Sequence, residues 1–486
     1  MKRLISLLGC MVLMIAVGGV YTAAQAADVF GLKDIPEIKN KSAINTIVET
    51  GQVWDKVMPY IEEFTKKTGV KVNVERVASP VVYSKENVEL MGGTGYYDVV
   101  YVETAWTTEW SPYLHKLDDL AGKYDPAGVE GLKKDIALHS PSIILCGQAY
   151  GDQMVLPFYT YHMSMFIRQD VFDDPTEKAN FKAKYGYELK PAATAKELSD
   201  QGEFFTRKKG ENLKGKPVAH DIYGLAMMAG AYQINDEISC RMWGKGADYA
   251  SVVRDSNGKL KEFVITKKDK EALKETLAEY KKQLQYSSPG CLTANFDFVV
   301  AQQGEGRAII QPHQFSNCFA WTASILKEKV QGGKLGIYPT FGNQPYTGAW
   351  SVGVAKAAKN PEAAYWLVRY LASFECHQAV MKEGGQVSTR MDVLSLPAWR
   401  TPENQYPYGL LADYLIDSWK NQVQYVNNYW YFNTKAGGKV YEMQMNVLHK
   451  PMSGEVAIER AVEEVVTKTL ELTSKFDKTV PIREEK

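Results

Sequence analysis

Residues 43–77 read AINTIVETGQVWDKVMPYIEEFTKKTGVKVNVERV, and this stretch holds a strand, a helix and a second strand in succession. The apolar run 43–48 predicts a buried strand, and the alternating valines of 70–74 predict another. Between them, Gly69 is placed to end a helix whose apolar side chains share one face. Those side chains are Trp54, Val57, Met58, Ile61 and Phe64. The change of period from helix to strand favours an α/β unit.

A third strand pattern follows at 98–102, after a short helical segment that ends in the glycines of 92–95. Strands that alternate with helices predict a parallel sheet joined by right-handed crossovers. In such sheets ligands bind beyond the carboxyl ends of the strands. This rule singles out the loops 49–52 and 103–106 as candidate binding loops. They hold Glu49, Thr50, Gln52, Glu103 and Trp106.

The rest of the chain continues the mixed pattern. Residues 154–168 form a long apolar run broken by Pro157, where we expect the chain to cross from one domain to another. Residues 335–354 contain two strands around a Gly/Pro/Asn loop, and 456–476 form a final amphipathic helix. The polar stretch 172–220 is typical of helices and surface loops. The alternation therefore predicts the α/β class throughout.

The composition is that of a large globular protein. The chain has 486 residues, of which 45% are hydrophobic and 23% are charged, and its formal net charge is zero. At about 150 residues per domain, this length predicts two or three domains. A chain without net charge lacks the concentrated basic surface that nucleic-acid binding needs, so we expect no nucleic-acid partner.

The first residues have the form of a secretory signal peptide. Two basic residues precede an apolar run at 4–20, and residues 24–26, Ala-Gln-Ala, supply a small-residue cleavage site. We therefore expect 1–26 to be removed and the mature protein to act in the periplasm or outside the cell. A transmembrane anchor is the alternative for the same run, and lipid modification of Cys10 is a second alternative.

Five cysteines remain after residue 26, and none of them lies in a C-x-x-C pair. A zinc ribbon or a thioredoxin-type redox site is therefore not indicated. An odd number allows at most two disulfides in an oxidising compartment and leaves one thiol over. We interpret most of these residues as small buried hydrophobic side chains, and we expect neither a metal nor a cofactor.

Sequence motifs of enzymes are mostly missing. The chain has no H-E-x-x-H zinc helix, no Walker loop, no G-x-S-x-G elbow and no complete G-x-G-x-x-G. We therefore expect a binding protein and not an enzyme. A secreted carbohydrate-active enzyme stays open as an alternative, because glycoside hydrolysis needs only two carboxylates whose separation a linear sequence does not reveal.

Three segments together resemble the family 1 extracellular solute-binding proteins of ABC importers, the group that contains the maltose-binding protein. They are VETGQVWDKVMPYIEEFTKKTGVKVNVERV at 48–77, YYDVVYVETAWTTEWSPYLHKLDDL at 96–120 and LGIYPTFGNQPYTGAWSVGVAKAAKNPEAAYWLVRYLA at 335–372. The last segment is similar to the family's late lobe crossing and the helix after it. This chain is longer than is common in the family, and the excess falls in 172–220 and 400–450.

The resemblance implies an α/β fold of two lobes, of the periplasmic binding protein type II, with a hinge and an interlobe cleft. Lobe one would comprise 27–155 plus 345–395, and lobe two would comprise 160–340 plus 396–486. The implied function is the substrate-binding subunit of an ABC importer, which captures a mono- or oligosaccharide or a polyol by lobe closure. The implied partners are the permease transmembrane subunits with their cytoplasmic ATPase, and we expect a monomer. A ligand-loaded sensor subunit stays open as an alternative role.

Aromatic and polar side chains on the candidate cleft loops suit a sugar, because rings pack on its CH-rich faces and polar groups bond its hydroxyls. Lobe two adds such side chains within 231–246 and 311–321, and others follow the lobe crossings. We therefore expect the ligand to contact Glu49, Thr50, Gln52, Glu103, Trp106, Tyr161, Tyr232, Gln233, Asn235, His313, Gln314, Trp350, Gln386 and Arg390. The protein core is the alternative position for each Trp and Tyr.

Overall fold

The computed structural model describes residues 29–384, 386–426 and 429–485. The predicted signal peptide at 1–26, its cleavage site and the lipidation alternative at Cys10 lie outside the described residues. Within the described ranges, no helix combines the length and the apolar character that crossing a bilayer requires.

The strands of the described chain are short and spread from end to end. In order they are β1 (Ile44–Glu49), β2 (Val72–Val77), β3 (Val99–Glu103), β4 (Gln148–Ala149), β5 (Asp152–Gln153), β6 (Val155–Thr160), β7 (Met163–Arg168), β8 (Asn212–Leu213), β9 (Lys216–Pro217), β10 (Tyr223–Leu225), β11 (Ser251–Arg254), β12 (Leu260–Ile265), β13 (Ala308–Phe315), β14 (Leu335–Tyr338), β15 (Ala349–Val354) and β16 (Ile482–Glu484).

The α-helices alternate with these strands and dominate the last quarter of the chain. In order they are α1 (Gln52–Thr68), α2 (Ser79–Gly92), α3 (Thr107–Trp110), α4 (Leu117–Tyr124), α5 (Gly128–Ile136), α6 (Pro141–Cys146), α7 (Gln169–Phe172), α8 (Pro175–Tyr185), α9 (Ala195–Phe205), α10 (Ile234–Gly244), α11 (Lys267–Gln283), α12 (Phe296–Gly304), α13 (Phe319–Lys329), α14 (Pro361–Leu371), α15 (Phe374–Gly384), α16 (Met391–Leu394), α17 (Leu410–Val426), α18 (Gly437–Ser453) and α19 (Ile458–Phe476).

The first main sheet has five strands in the order β2-β1-β3-β15-β6. Strand β1 pairs in parallel with β2 and β3, so the predicted parallel arrangement of these strands is confirmed. Strand β15 enters from late in the sequence and is antiparallel to both β3 and β6. We call the part of the chain that packs around this sheet lobe one.

Helix α1 shows why the opening stretch folds as predicted. It buries Trp54, Val57 and Phe64 against the first sheet and leaves its charged face exposed. It ends at Gly69, which has a φ of 72° and donates its N–H to the carbonyl of Thr65. Only glycine adopts this left-handed conformation without steric cost, so the helix ends where the next strand must begin.

The second main sheet has four strands in the order β10-β13-β7-β14. Strand β7 is antiparallel to both of its neighbours, β13 and β14, while β10 and β13 run parallel. A smaller sheet of β11, β12 and β16 joins the C-terminal strand to the same part of the chain. We call this part lobe two.

The chain passes between the two main sheets at 160–163 and at 338–349. His162 lies in the first crossing, fully buried, and its ring nitrogens contact Thr347 of the second crossing at 2.7 Å and Ser418 of α17 at 2.9 Å. Pro157 does not mark the crossing, which is a correction to the sequence interpretation. It lies inside β6 opposite Ser351, where the ladder is irregular and a proline is tolerated. The predicted lobe boundaries themselves remain predictions, since sheet membership does not locate a hinge.

A segment near the C-terminus contacts both lobes, and we call residues 429–444 the C-terminal bridge. On the side of lobe one, Thr108 Oγ1 donates a hydrogen bond of 2.7 Å to the carbonyl of Phe432. On the side of lobe two, the N–H of Trp430 donates a bond of 2.8 Å to Asp248. The bridge therefore ties the two lobes together away from the crossings.

The five cysteines of the described chain are all buried, and none forms a disulfide. They are Cys146, Cys240, Cys291, Cys318 and Cys376. Burial raises the pKa of each of these thiols. Their environment agrees with the interpretation as small buried hydrophobic side chains.

Candidate functional site

A cavity of about 730 Å³ lies between the two main sheets. One wall consists of the carboxyl ends of β1 and β3 together with Trp350 of β15, and the opposite wall consists of the first turns of α10, α12 and α13. The lobe crossings contribute Tyr161 and Tyr346. The cavity thus occupies the place where a parallel α/β sheet binds its ligands.

Glu49 ends β1 and is held by three hydroxyl groups. Its Oε2 accepts a hydrogen bond of 2.9 Å from Ser79, and its Oε1 accepts one of 3.1 Å from Tyr101 and another from Tyr159. Burial raises the pKa of Glu49, and the three hydroxyls offset that rise only in part. Neutral donors therefore fix the orientation of this carboxyl group at the end of the strand.

Glu103 ends β3 and is held in a similar way. Its Oε1 accepts a hydrogen bond of 2.9 Å from Tyr346 and another from Tyr161, and its Oε2 accepts one of 2.6 Å from the N–H of Ala105. Burial raises the pKa of Glu103 as well. Because the two tyrosines come from the two crossings, Glu103 connects both crossings to lobe one.

Asp236 on α10 is an acidic group that lobe two contributes. Its Oδ1 accepts a hydrogen bond of 2.7 Å from Tyr441, which belongs to the C-terminal bridge. Burial raises the pKa of Asp236 well above its ordinary value, and the charges of Glu103 and Glu237 raise it further. Carboxyl groups of both lobes therefore lie near one another at the cavity.

Aromatic rings form much of the cavity wall. Trp350 stacks on Tyr101 with ring centroids 4.4 Å apart and planes inclined by 3°. Trp321 stands at the edge of the cavity and is 46% exposed. The rings that line the cavity are Tyr159, Tyr161, Tyr232, Phe296, Phe315, Trp321, Tyr346, Trp350, Tyr408 and Tyr441. Flat apolar faces beside carboxyl and amide groups can bind a small molecule that has both CH-rich faces and hydroxyls.

The structure brings together eight of the residues that the sequence singled out. They are Glu49, Thr50, Glu103, Tyr161, Tyr232, Gln233, Trp350 and Gln386. The Oε1 of Gln386 accepts a hydrogen bond of 2.9 Å from the side-chain amide of Asn317, which also lines the cavity. Contact of these eight with a ligand stays a prediction. The side chain of Gln52 lies outside the described residues, so its predicted role stays open.

Trp106 does not line the cavity, contrary to expectation. It belongs to the short 3₁₀ turn Thr104–Trp106, which follows directly after β3. The ring packs against Tyr83 and Trp110 at centroid distances of 5.0 and 5.1 Å. It meets Trp350 in an edge-to-face contact, with ring centroids 5.4 Å apart and planes inclined by 79°. Trp106 therefore supports the cavity wall from behind.

Asn235, His313 and Gln314 are buried outside the cavity lining, which corrects three further expectations. Asn235 precedes Asp236 on α10 and so points about 100° away around the helix. His313 lies in an irregular part of β13, where the pairing with β7 shifts register, and its ring packs edge-on against Phe341 at 5.0 Å. The Oε1 of Gln314 accepts a hydrogen bond of 2.7 Å from the N–H of Phe315.

Arg390 is a structural residue, and the expectation that it faces the cleft is wrong. Its guanidinium is fully buried and forms ion pairs of 2.8 Å with both Asp135 and Asp392. It also donates a hydrogen bond of 3.1 Å to the carbonyl of Ala372. A buried arginine with two carboxylate partners joins α5 to the segment that precedes α16.

Several lining residues were missed by the sequence interpretation. Ser79 follows the end of β2, so the carboxyl-end rule would have found it if applied to that strand. Asp236 lies inside the segment 231–246, whose polar side chains suit the cleft, but it is not among the predicted ligand contacts. No local sequence pattern predicts that Tyr346 and Tyr441 line the cavity, because they come from parts of the chain that are distant from the other lining residues.

Residues 51–375 match the family model described as bacterial extracellular solute-binding protein. Among curated proteins, the erythritol/L-threitol-binding protein of Mycolicibacterium smegmatis is 30% identical over 102 residues, which make up 19% of this chain and 21% of that protein. The chain therefore matches about a fifth of the length of that relative.

Solved structures extend the likeness to nearly the whole chain. A ribitol-bound ABC transporter solute-binding protein from Agrobacterium radiobacter K84 has a TM-score of 0.65 at 16% identity, with 89% of this chain and 99% of that one covered. Maltose-bound MalE3 of T. maritima has a TM-score of 0.63 at 16% identity, with 88% and 98% covered. At such identity the likeness concerns the fold, and it confirms the predicted two-lobe α/β architecture.

Proposed function

Because the chain belongs to the family of bacterial extracellular solute-binding proteins, we propose that it is the substrate-binding subunit of an ABC importer. In this role it captures a sugar or a polyol, closes its lobes around that ligand and delivers it to the transmembrane subunits of a permease. The permease would act with a cytoplasmic ATPase. The protein would work as a monomer in the periplasm or outside the cell.

The observation that carries this proposal is the composition of the cavity wall. Glu49 and Glu103 stand at strand ends with fixed orientation, and Trp350 lies beside them. Carboxyl groups bond the hydroxyl edge of a sugar or polyol, while a ring covers its CH-rich face. A cavity of about 730 Å³ is of the size that small-molecule sites have.

The origin of the lining residues supports a mechanism of lobe closure. Glu103 and Trp350 come from lobe one, whereas Asp236 and Trp321 come from lobe two. A ligand that contacts both walls stabilises the closed arrangement over an open one. Micromolar affinity requires about 8 kcal/mol, which a few stacked rings and buried hydrogen bonds can supply after ordering costs.

The relatives support the choice of ligand class. One solved structure of similar fold holds ribitol and another holds maltose, and the curated relative is named for erythritol and L-threitol. Family members are binding proteins, so we propose capture and release of the ligand without chemical turnover.

A screen for thermal stabilisation tests the proposal. Purified mature protein is heated with tetritols, pentitols, hexitols, monosaccharides and maltodextrins, and hits are measured by calorimetry. A ligand at 100 times its dissociation constant adds about 2.7 kcal/mol to the free energy of unfolding, so a true ligand raises the melting temperature clearly. The proposal fails if no compound in the panel binds, or if the protein cleaves a labelled glycan.

A further inference from the structure

The lining of the cavity contains acidic side chains that no basic side chain of the described lining accompanies. Its lining contains four carboxyl groups, and among the described residues that line it there is no lysine, arginine or histidine. The carboxyl groups belong to Glu49, Glu103, Asp236 and Asp297. When these groups are ionised, the cavity holds negative charge that the protein itself does not neutralise.

The hydrogen-bond partners of these four groups are all uncharged. Hydroxyls hold Glu49, Glu103 and Asp236, as described above, and Asp297 accepts a hydrogen bond of 3.2 Å from the side-chain amide of Asn295. In the part of the chain that the structure describes, none of the four forms an ion pair. Elsewhere in the described chain, Asp135 and Asp392 pair with Arg390, whereas the buried Glu86, Asp98 and Asp248 accept hydrogen bonds from uncharged donors. What distinguishes the cavity is that four carboxyl groups, and no basic side chain among the described residues, line one space.

The aromatic wall also suits positive charge. A cation is attracted to the face of an aromatic ring, and the attraction grows when the site is shielded from water. Trp350 and Tyr346 stand beside Glu103 and Asp236 on the two walls of the cavity. Acidic groups interleaved with rings are the combination that recognises an ammonium group.

The acidic groups of the cavity are poorly arranged to bind a metal ion. Within the described residues, no three His, Cys, Asp or Glu side chains are grouped so that they could hold a metal ion. Each carboxyl group of the cavity instead has its own hydroxyl or amide donor. An organic cation with several hydroxyl groups can reach them separately.

Building on the proposed function, we propose that the ligand is a polyhydroxylated amine, such as an amino sugar or an amino polyol, bound with its ammonium group protonated. The ammonium group lies between Glu103 of lobe one and Asp236 of lobe two. The hydroxyls bond Glu49 and Gln233, and the CH-rich face rests on Trp350. Closure of the lobes thus brings a negative charge from each lobe onto one positive charge.

Matched ligand pairs test this inference. Calorimetry compares D-glucosamine with D-glucose and with N-acetyl-D-glucosamine, and glucamine with D-glucitol. In each set the charged amine should bind at least tenfold more tightly, because the other members keep the hydroxyls but lack the charge. If the neutral members bind equally well or better, the inference is overturned while the proposed function stands. If neither these compounds nor the sugars and polyols of the thermal screen bind, both are overturned.

A pair of variants separates charge from shape. Asp236→Asn keeps an oxygen for Tyr441 and removes the charge, so the affinity for the amine relative to that for its neutral partner should fall at least tenfold. Glu109→Gln is the matched control: Glu109 is a carboxyl group outside the cavity lining that accepts a hydrogen bond of 2.7 Å from Tyr83. For Glu109→Gln, the ratio of the affinity for the amine to the affinity for its neutral partner should stay unchanged.

Glu49→Gln provides a second variant in case the first one fails to fold. The amide can still accept from Tyr159 and can donate to Ser79, so the fold should be retained. We expect a smaller loss of amine preference, of a few fold, because Glu49 does not contact the ammonium group. An unchanged preference in both Asp236→Asn and Glu49→Gln, with melting curves that show folded protein, would contradict the inference.

Discussion

Trp106 and Trp350 lie next to each other but have different roles in this structure. Trp350 lines the cavity, whereas Trp106 packs on Tyr83 and Trp110 behind it. Trp350→Ala should weaken ligand binding by at least 2 kcal/mol, roughly thirtyfold, with only about 1 kcal/mol lost from stability. Trp106→Ala should cost about 3 kcal/mol of stability and leave the affinity of the folded protein nearly unchanged.

Calorimetry and denaturant midpoints measured on both variants check this contrast. The assignment of the two rings is wrong if Trp106→Ala loses affinity at full stability, or if Trp350→Ala binds as well as the wild type.

Glu49 makes the stability of the unliganded protein depend on pH. Burial raises the pKa of Glu49 in the folded protein above its ordinary value of 4.5, so the folded protein keeps a proton that the unfolded chain releases. The free energy of unfolding should therefore fall as the pH rises from the ordinary glutamate pKa through the raised one. Glu49→Gln cannot titrate and should show a shallower decrease.

Melting temperatures of ligand-free wild type and Glu49→Gln between about pH 4 and about pH 8 measure this difference. If the curves of the wild type and Glu49→Gln were parallel, Glu49 would have the same pKa in the folded and unfolded states.

At the scale of elements, the C-terminal bridge reaches lobe one through a glycine. A Cβ on Gly437 would lie 2.6 Å from the carbonyl oxygen of Ala105 and 2.8 Å from that of Tyr431. Neither oxygen belongs to a flexible side chain, so the bridge itself must shift. Gly437→Ala should lower the free energy of unfolding by about 1–3 kcal/mol.

Gly122→Ala is the matched control in α4, because its Cβ would meet only a methyl group of Val129 at 3.9 Å. In a helix interior this change should raise stability by about 0.5 kcal/mol. Equal effects of the two substitutions in chemical denaturation would show that close approach of the bridge is not what Gly437 permits.

The sequence predicts elements well where the pattern is local, and it predicts the site only in part. Strand ends follow from period and turn residues, which is why Glu49 and Glu103 could be found. Arg390 could not be placed, because Asp135 meets it from 255 residues away. Tyr441 reaches Asp236 across 205 residues. A side chain's direction is set by such distant partners, and local periodicity does not record them.

At the scale of the whole molecule, ligand binding should make the protein more compact. Lobes that close around a ligand reduce the radius of gyration, because contacts to both walls favour the closed arrangement. Small-angle X-ray scattering with and without a ligand from the thermal screen measures the change. A bound sample with the same radius of gyration as the free one would count against closure, and Trp350→Ala at the same ligand concentration should stay near the free value.

The burial of every cysteine in the described chain opens a practical route to an optical readout. Thiol-directed dyes attack thiolates, and burial both hides the native sulfurs and raises the pKa of their thiols. Trp321→Cys would place a single accessible thiol at the edge of the cavity, where the native side chain is 46% exposed. A fluorophore attached there would move from solvent towards the opposite wall as the lobes approach. The protein could thus serve as a reagentless sensor of its own ligand without removal of any native cysteine.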